Sequence, residues 1–187
     1  NGCSGTTLNE NQANLNATIG SANYDVGHVV NTSGGGVAGL AVICGASKAR
    51  GCTGNPNPTG DPFDIDYVAH EVGHQYAGNH TFDGVNGNCA GGNRNDATAY
   101  EPGSGVTIQA YAGICGPDNL QPNSDAVFHT ISLDEILTHV NANVCKTNIP
   151  GINPSAPTVS VTGGPFAIPR STPFELTSNT GADADGD

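Results

Sequence analysis

Four residues within Val68-Ala-His-Glu-Val-Gly-His-Gln-Tyr-Ala-Gly-Asn-His80 carry most of the chemistry in this sequence. His70 and His74 stand four apart, so a helix projects both imidazoles from one face, where they can grip one metal ion. His80 follows six residues later, just past Gly78, where the chain can leave the helix and turn back. Zinc prefers nitrogen or sulfur donors in a tetrahedral set, and three protein ligands leave its fourth position to water. Glu71 adjoins the first histidine. It is placed to take a proton from such a water and to return it to a leaving amine. The metal candidates are therefore His70, His74 and His80, with Glu71 as catalytic base; the plain alternative for Glu71 is a charge that merely faces a cleft. His28, His129 and His139 lack ligand spacing and read as ordinary surface or core residues.

Such a site needs a helix with two unlike faces. At ~100° per residue, Ile65, Val68, Ala69, Val72 and Tyr76 cluster in one direction, and His70 and His74 point nearly the opposite way. A helix is expected from about Asp64, after Pro62, with its apolar face on the core and its histidine face on a cleft. Another is expected from about Leu8 to Ile19. Thr7 and Glu10 have capping-box spacing, Leu8, Leu15 and Ile19 share a face, and Gly20 can end it. A third starts at Ser132, where Glu135 completes a second capping box and Leu133, Ile136, Leu137 and Val140 fall at helical spacing. Tyr24–Val30 and Val37–Ile43 read as strands. The stretch from Thr81 to Asp125 has almost no periodicity. A loop that long in a compact domain is functional or pinned by cross-links.

Lys and Arg number 5 against 17 Asp and Glu, a formal charge of −12. A polyanion binder needs the opposite sign, which argues against nucleic acid and anionic membrane as partners. No stretch approaches the ~20 apolar residues that span a bilayer, so membrane insertion is not expected. Six cysteines without a C-x-x-C pair favour disulfides over a cysteine-bound metal, and with them a secreted, extracellular location. The pairing expected is Cys44–Cys52 as a short loop, Cys89–Cys115 and Cys3–Cys145, one of many arrangements. Asn1 is not an initiator and no signal peptide is visible, so the chain reads as a processed or trimmed part of something longer. Composition shifts after Cys145. Residues 148–157 read as a linker. Thr158–Thr162 and Phe174–Thr177 then alternate like two short strands, the incomplete beginning of a β-sandwich over 158–187. Asp183, Asp185 and Asp187 are a candidate calcium site or simply a polar terminus.

H-E-x-x-H with a third histidine six residues on resembles the metzincin zinc peptidases. The wider set, from Asn23-Tyr-Asp-Val-Gly-His28 through Gly34-Gly-Gly-Val-Ala38 and His70–Phe82 to Tyr111-Ala-Gly-Ile-Cys115, resembles the bacterial reprolysin-like metallopeptidases over about residues 1–145. The resemblance implies an α+β fold over 1–147: a mixed sheet, an active-site helix and a C-terminal helix. It implies an extended protein or peptide substrate paired to an edge strand, matched by Val37–Ala41, and a monomeric secreted endopeptidase. On that resemblance, the first strands and helix of a complete metzincin domain are missing before Asn1, which fits either a trimmed chain or a family variant. The tail resembles the start of an immunoglobulin-like or PKD-type sandwich.

Two residues depart from the metzincin pattern. Ala77 stands where that pattern has glycine, and Gly78 follows, so the turn is expected to shift by one residue or Ala77 to stay helical. Gln109, in Thr107–Tyr111, replaces the methionine that lies below the metal, and its amide needs partners if buried. Tyr111, two residues on, matches a tyrosine that touches the metal or the oxyanion in astacins and serralysins. It is a candidate catalytic residue, or a packed tyrosine with a satisfied hydroxyl. Asn119–Pro122 is expected to wall the pocket for the side chain after the cut. The alternative function is a catalytically weak or inactive metzincin scaffold used as an adhesion or binding module.

Overall fold

The computed structural model describes residues 2–143, 145 and 147 and, further on, 159–161, 167, 175 and 177–180. The chain divides into two compact units, Asn1–Lys146 and Thr147–Asp187.

In the first unit, helix α1 spans Gly5–Thr18. It begins a turn earlier than Thr7 suggests, because Ser4 is the cap and its hydroxyl accepts from the Thr7 amide. The Thr7 hydroxyl donates to the Gly2 carbonyl instead. Gly20, at φ +86°, ends the helix as expected. Of the expected strand Tyr24–Val30 only its last two residues enter β1, Val29–Asn31. Strand β2 is Gly35–Ala38, not Val37–Ile43. The chain leaves the sheet there: Ala41 and Cys44 sit at positive φ, and the amides of Ala41 and Val42 bond the carbonyls of His74 and Gln75. Strand β3, Gly51–Gly54, has no alternating apolar pattern to announce it, yet all four of its residues are buried. The sheet order is β1-β3-β2, with β1 parallel and β2 antiparallel to β3. This mixed sheet with a few helices is compatible with a metzincin-like domain.

The site helix runs as α2, Asp61–Phe63, a π-helical stretch Asp64–Ala69, and α3, His70–Gln75. The wider π turn departs from the 100° register of a regular α-helix. Ile65, Val68, Ala69, Val72 and Tyr76 are only half-buried, whereas His70, Glu71 and Gln75 are buried. The expected division into an apolar core face and a polar cleft face is therefore corrected. α3 packs against the sheet through Gln75, whose amide donates to the Gly27 and Lys48 carbonyls and accepts from His28. The other His28 nitrogen bonds the Thr53 hydroxyl on β3.

Helix α4, Thr130–Ala142, is capped by His129, not Ser132. Ser132 is buried inside the helix and Glu135 reaches away to Asn79, so the second capping box does not form. Leu133 and Leu137 are 44% and 55% exposed, so the expected apolar stripe is not a core contact.

The core is small. Phe82, Cys89 and Cys115 form its main cluster, with Tyr111 against it. Disulfides join Cys3–Cys52, Cys44–Cys145 and Cys89–Cys115. Only the last matches expectation. Cys52 lies in β3 beside Asn31, whose amide bonds the sulfurs of both Cys3 and Cys52. Cys44 sits in the turn outside the sheet, its amide on the Asp25 carbonyl, and bonds Cys145, so the expected short-loop pairing with Cys52 does not form. In the second unit, β4 (Val159–Val161) pairs antiparallel with β5 (Ser178–Thr180). Of the expected strand Phe174–Thr177, the described residues Glu175 and Thr177 lie outside a strand and β5 starts at Ser178; two short strands do not define a sandwich. The linker 148–157 and the aspartates at 183, 185 and 187 lie outside the described residues. No described helix is long and apolar enough to cross a membrane.

Candidate metal centre and active-site cleft

His70 and His74 meet because one helical turn separates them, and His80 joins them because the helix stops abruptly. Ala77 itself takes φ +84°. Its amide bonds the His74 carbonyl and the Gly78 amide bonds the Gly73 carbonyl, the two bonds of a Schellman cap. The left-handed residue thus stays at the position where the pattern has glycine. The turn neither shifts nor stays helical, contrary to both expectations.

Nε2 of His74 lies 3.0 Å from Nε2 of His70 and 3.1 Å from Nε2 of His80. Each ring uses its other nitrogen on a backbone carbonyl: His70 Nδ1 on Ile108 at 2.7 Å, His74 Nδ1 on Gly78 at 2.6 Å, His80 Nδ1 on Asn93 at 2.6 Å. A carbonyl only accepts, so each Nδ1 carries the proton and each Nε2 presents a lone pair. Burial, and for His70 and His80 the neighbouring imidazoles, push all three below the usual histidine range, His80 to about 4. Neutral rings leave no proton to link the Nε2 atoms. Three converging lone pairs are a site for a cation, and an all-imidazole set suits zinc. The residues present therefore fit the metal, and together they could hold one ion.

The three carbonyl partners were not legible beforehand, because a backbone oxygen has no residue signature. Nor was the Asn79–Glu135 pair. The Asn79 amide donates to Glu135 Oε2 at 2.8 Å and its side chain to Oε1 at 2.6 Å, tying the turn between His74 and His80 to α4. Gln109 is fully buried beneath the helix end, and its Nε2 donates to the Gly78 carbonyl at 3.1 Å. The same nitrogen lies 3.1 Å from His74 Nδ1, but that atom's proton is already committed to Gly78, so no bond forms there. Gln109 Oε1 has no partner and fits against Gly73, where a Cβ would come within 2.3 Å of it. The amide's needs are thus half met.

Glu71 is 8% exposed, and its Oε2 has no hydrogen-bond partner. Burial pushes its carboxyl up to about 8. Gly36 of β2 makes room for it, since a Cβ there would lie 2.2 Å from Glu71 Oε1. Glu71, His70 and Tyr111 share one cleft of about 520 Å³ with Gly35 and Gly36 of the edge strand. Tyr111 packs on His80 and Phe82 at ring separations of 4.6 and 4.7 Å. Burial and the nearby Glu71 push its phenol up to about 12, so it stays protonated. Of the expected wall Asn119–Pro122, Pro122 lines the cleft, and Asn123 and Ser124 continue it. His28, His129 and His139 stand apart from the centre in hydrogen bonds of their own.

A buried glutamate one residue after the first of three convergent histidines, in a cleft bordered by a sheet edge, is the arrangement of a metallopeptidase. Residues 1–133 match the model of Metallo-peptidase family M12B Reprolysin-like, and the chain belongs to that family. No curated protein and no solved structure matches the chain.

Proposed function

We propose that this chain is a secreted zinc endopeptidase acting on proteins or peptides, with His70, His74 and His80 as the zinc ligands and Glu71 as the base. The observation that carries the proposal is the set of three Nδ1–H groups anchored on carbonyls, which aims three Nε2 lone pairs at one point beside an unpartnered carboxylate oxygen. Bound zinc supplies Lewis acidity toward a scissile carbonyl and toward water. The chain's own residues do the rest. Beside a bound cation, whose charge favours the ionised carboxylate over the buried acid, Glu71 Oε2 would take a proton from the attacking water and pass it to the leaving amine. The Tyr111 hydroxyl, held protonated, donates to the oxygen that gains charge. Strand β2 pairs only with β3 among the described residues, so its outer edge is free to add an extended substrate backbone. The disulfides support export. Calcium has no support among the described residues.

Hydrolysis of an unfolded protein substrate tests the reading. Activity is expected to vanish on chelation and to return with zinc. In Glu71→Gln it falls by about 10²–10⁴-fold, the range for general acid–base catalysis, while zinc stays bound. Undiminished activity in that variant overturns the mechanism.

A further inference from the structure

The cleft beside Glu71 is not apolar. Asn55, Asp66, Tyr67, Asn88, Asn123 and Ser124 bring polar groups to it. Asp66 stands one turn before His70 in the π-helical stretch. Its Oδ1 accepts from the Ser124 amide at 2.7 Å. With the Asn123 amide turned to satisfy both of its atoms, Asp66 Oδ2 accepts from it at 2.9 Å. The Ser124 side chain adds a third bond, and a carboxylate has room for about four, so capacity for one more donor is left. No cation faces it: among the described residues the ion pairs are those of Arg94 with Asp83 and Asp96, and no Lys or Arg lines this cleft. Burial pushes the Asp66 carboxyl up, as expected of a partly desolvated charge lacking a counter-ion. The net charge of −12 gives the whole molecule an attraction for cationic peptides.

The direction of the edge strand says which substrate residue meets Asp66. Gly35 and Gly36 line this cleft, and Ala38, at the other end of β2, lines the neighbouring depression with His80 and Arg94. A peptide added antiparallel to β2 runs from Ala38 toward Gly35. The part before the cut then lies by Arg94 and the part after it enters the Asp66 cleft.

We infer that Asp66 is a specificity-determining residue, selecting a lysine or arginine side chain on the substrate residue just after the cut. The inference rests on the endopeptidase reading and on antiparallel pairing at β2. Asn123 and Ser124 hold the carboxylate in place, and their bonds leave it free to accept from an ammonium or guanidinium group.

The zinc-loaded chain is given peptides that differ only in the residue after the cut: Lys, Arg, norleucine, Gln or Glu. Cleavage sites are mapped by mass spectrometry. The expected result is a preference of about tenfold or more in kcat/KM for Lys and Arg over norleucine, with Glu poorest. Asp66→Asn, which keeps an oxygen for Ser124, lowers the Lys-to-norleucine ratio about tenfold. Equal cleavage of Lys and norleucine peptides, or an unchanged ratio in Asp66→Asn, overturns the inference. Cleavage without basic preference leaves the endopeptidase reading standing; no cleavage by the zinc-loaded chain ends that reading. In that event, calorimetric binding of the same peptides to the Glu71→Gln variant decides: tighter binding of the Lys peptide supports the role of Asp66, and equal binding overturns it.

Discussion

His70 and His74 owe their spacing to one turn of backbone hydrogen bonds, whereas His80 is held by groups scattered over a long loop. Its Nδ1 uses the Asn93 carbonyl, its own carbonyl accepts from the Thr98 hydroxyl at 2.6 Å, and the next residue, Thr81, is tied to Gln109 and Glu101. Among residues 81–125 the regular elements are the short 3₁₀ turns Gly87–Cys89 and Gly116–Asp118. Order comes instead from the Cys89–Cys115 bond, from Asp118 accepting from Val85 and Asn86, and from Glu101. The Glu101 carboxylate takes hydrogen bonds from the Thr81 and Thr107 hydroxyls and from the Val106 and Thr107 amides. Burial works against its charge, but these four bonds outweigh it and hold the carboxyl below its ordinary range. Two of the candidate ligands thus rest on local periodicity and one on non-local cross-links, so an ion bound there would couple parts of the chain that no regular element joins.

That contrast can be broken from the loop side first. Replacing Cys89 and Cys115 by serine removes a link across 26 residues and the centre of the Phe82 cluster, and is expected to cost about 2–5 kcal/mol in chemical denaturation. Activity should fall with it, since His80 loses its support.

The next effect comes from the helix side and is read against pH. In metal-free protein Glu71 binds its proton up to about pH 8, whereas an unfolded glutamate releases it near 4.5. The stability this proton contributes is fully present below pH 4.5 and lost as pH rises through 8, roughly a few kcal/mol in all. Glu71→Gln should abolish that slope, measured as the difference between the two proteins in urea titrations across this range. The histidine contributions run the other way, because their depressed values favour folding as pH rises toward 6.5, and they cancel in the difference.

Glu101→Gln tests the polar hub alone. It keeps the shape but puts a donor among four donors, and is expected to cost about 1–3 kcal/mol and to loosen hydrogen-exchange protection at Thr81 and Thr107. The smallest effect separates the regions at their joint. Ala77→Gly relieves a left-handed alanine and should raise stability by up to about 1 kcal/mol without changing zinc affinity.

The same contrast explains what the sequence made legible. Periodic features were: the existence of α1, of the site helix and of α4, and the histidine set on one face. Spacing also brought out the third histidine, whereas Cys89–Cys115 was one expected pairing among many and the one of three that the structure shows. Boundaries failed where a side chain had a better partner than its own helix end, whether distant or a few residues away. Glu135 left its own helix for Asn79, and Ser4 rather than Thr7 capped α1. β3 was hidden because Gly-Cys-Thr-Gly shows no alternation, and its burial comes from neighbours on both sides. The other disulfides depend on where β3 places Cys52, so they could not be read before that strand was known.

Zinc X-ray absorption on the purified chain addresses the convergence of the imidazoles most directly. Three histidine nitrogens at about 2.0–2.1 Å with one exchangeable oxygen is the predicted first shell. A shell with a fourth protein ligand and no exchangeable oxygen, or a chain that takes up no zinc, would contradict it.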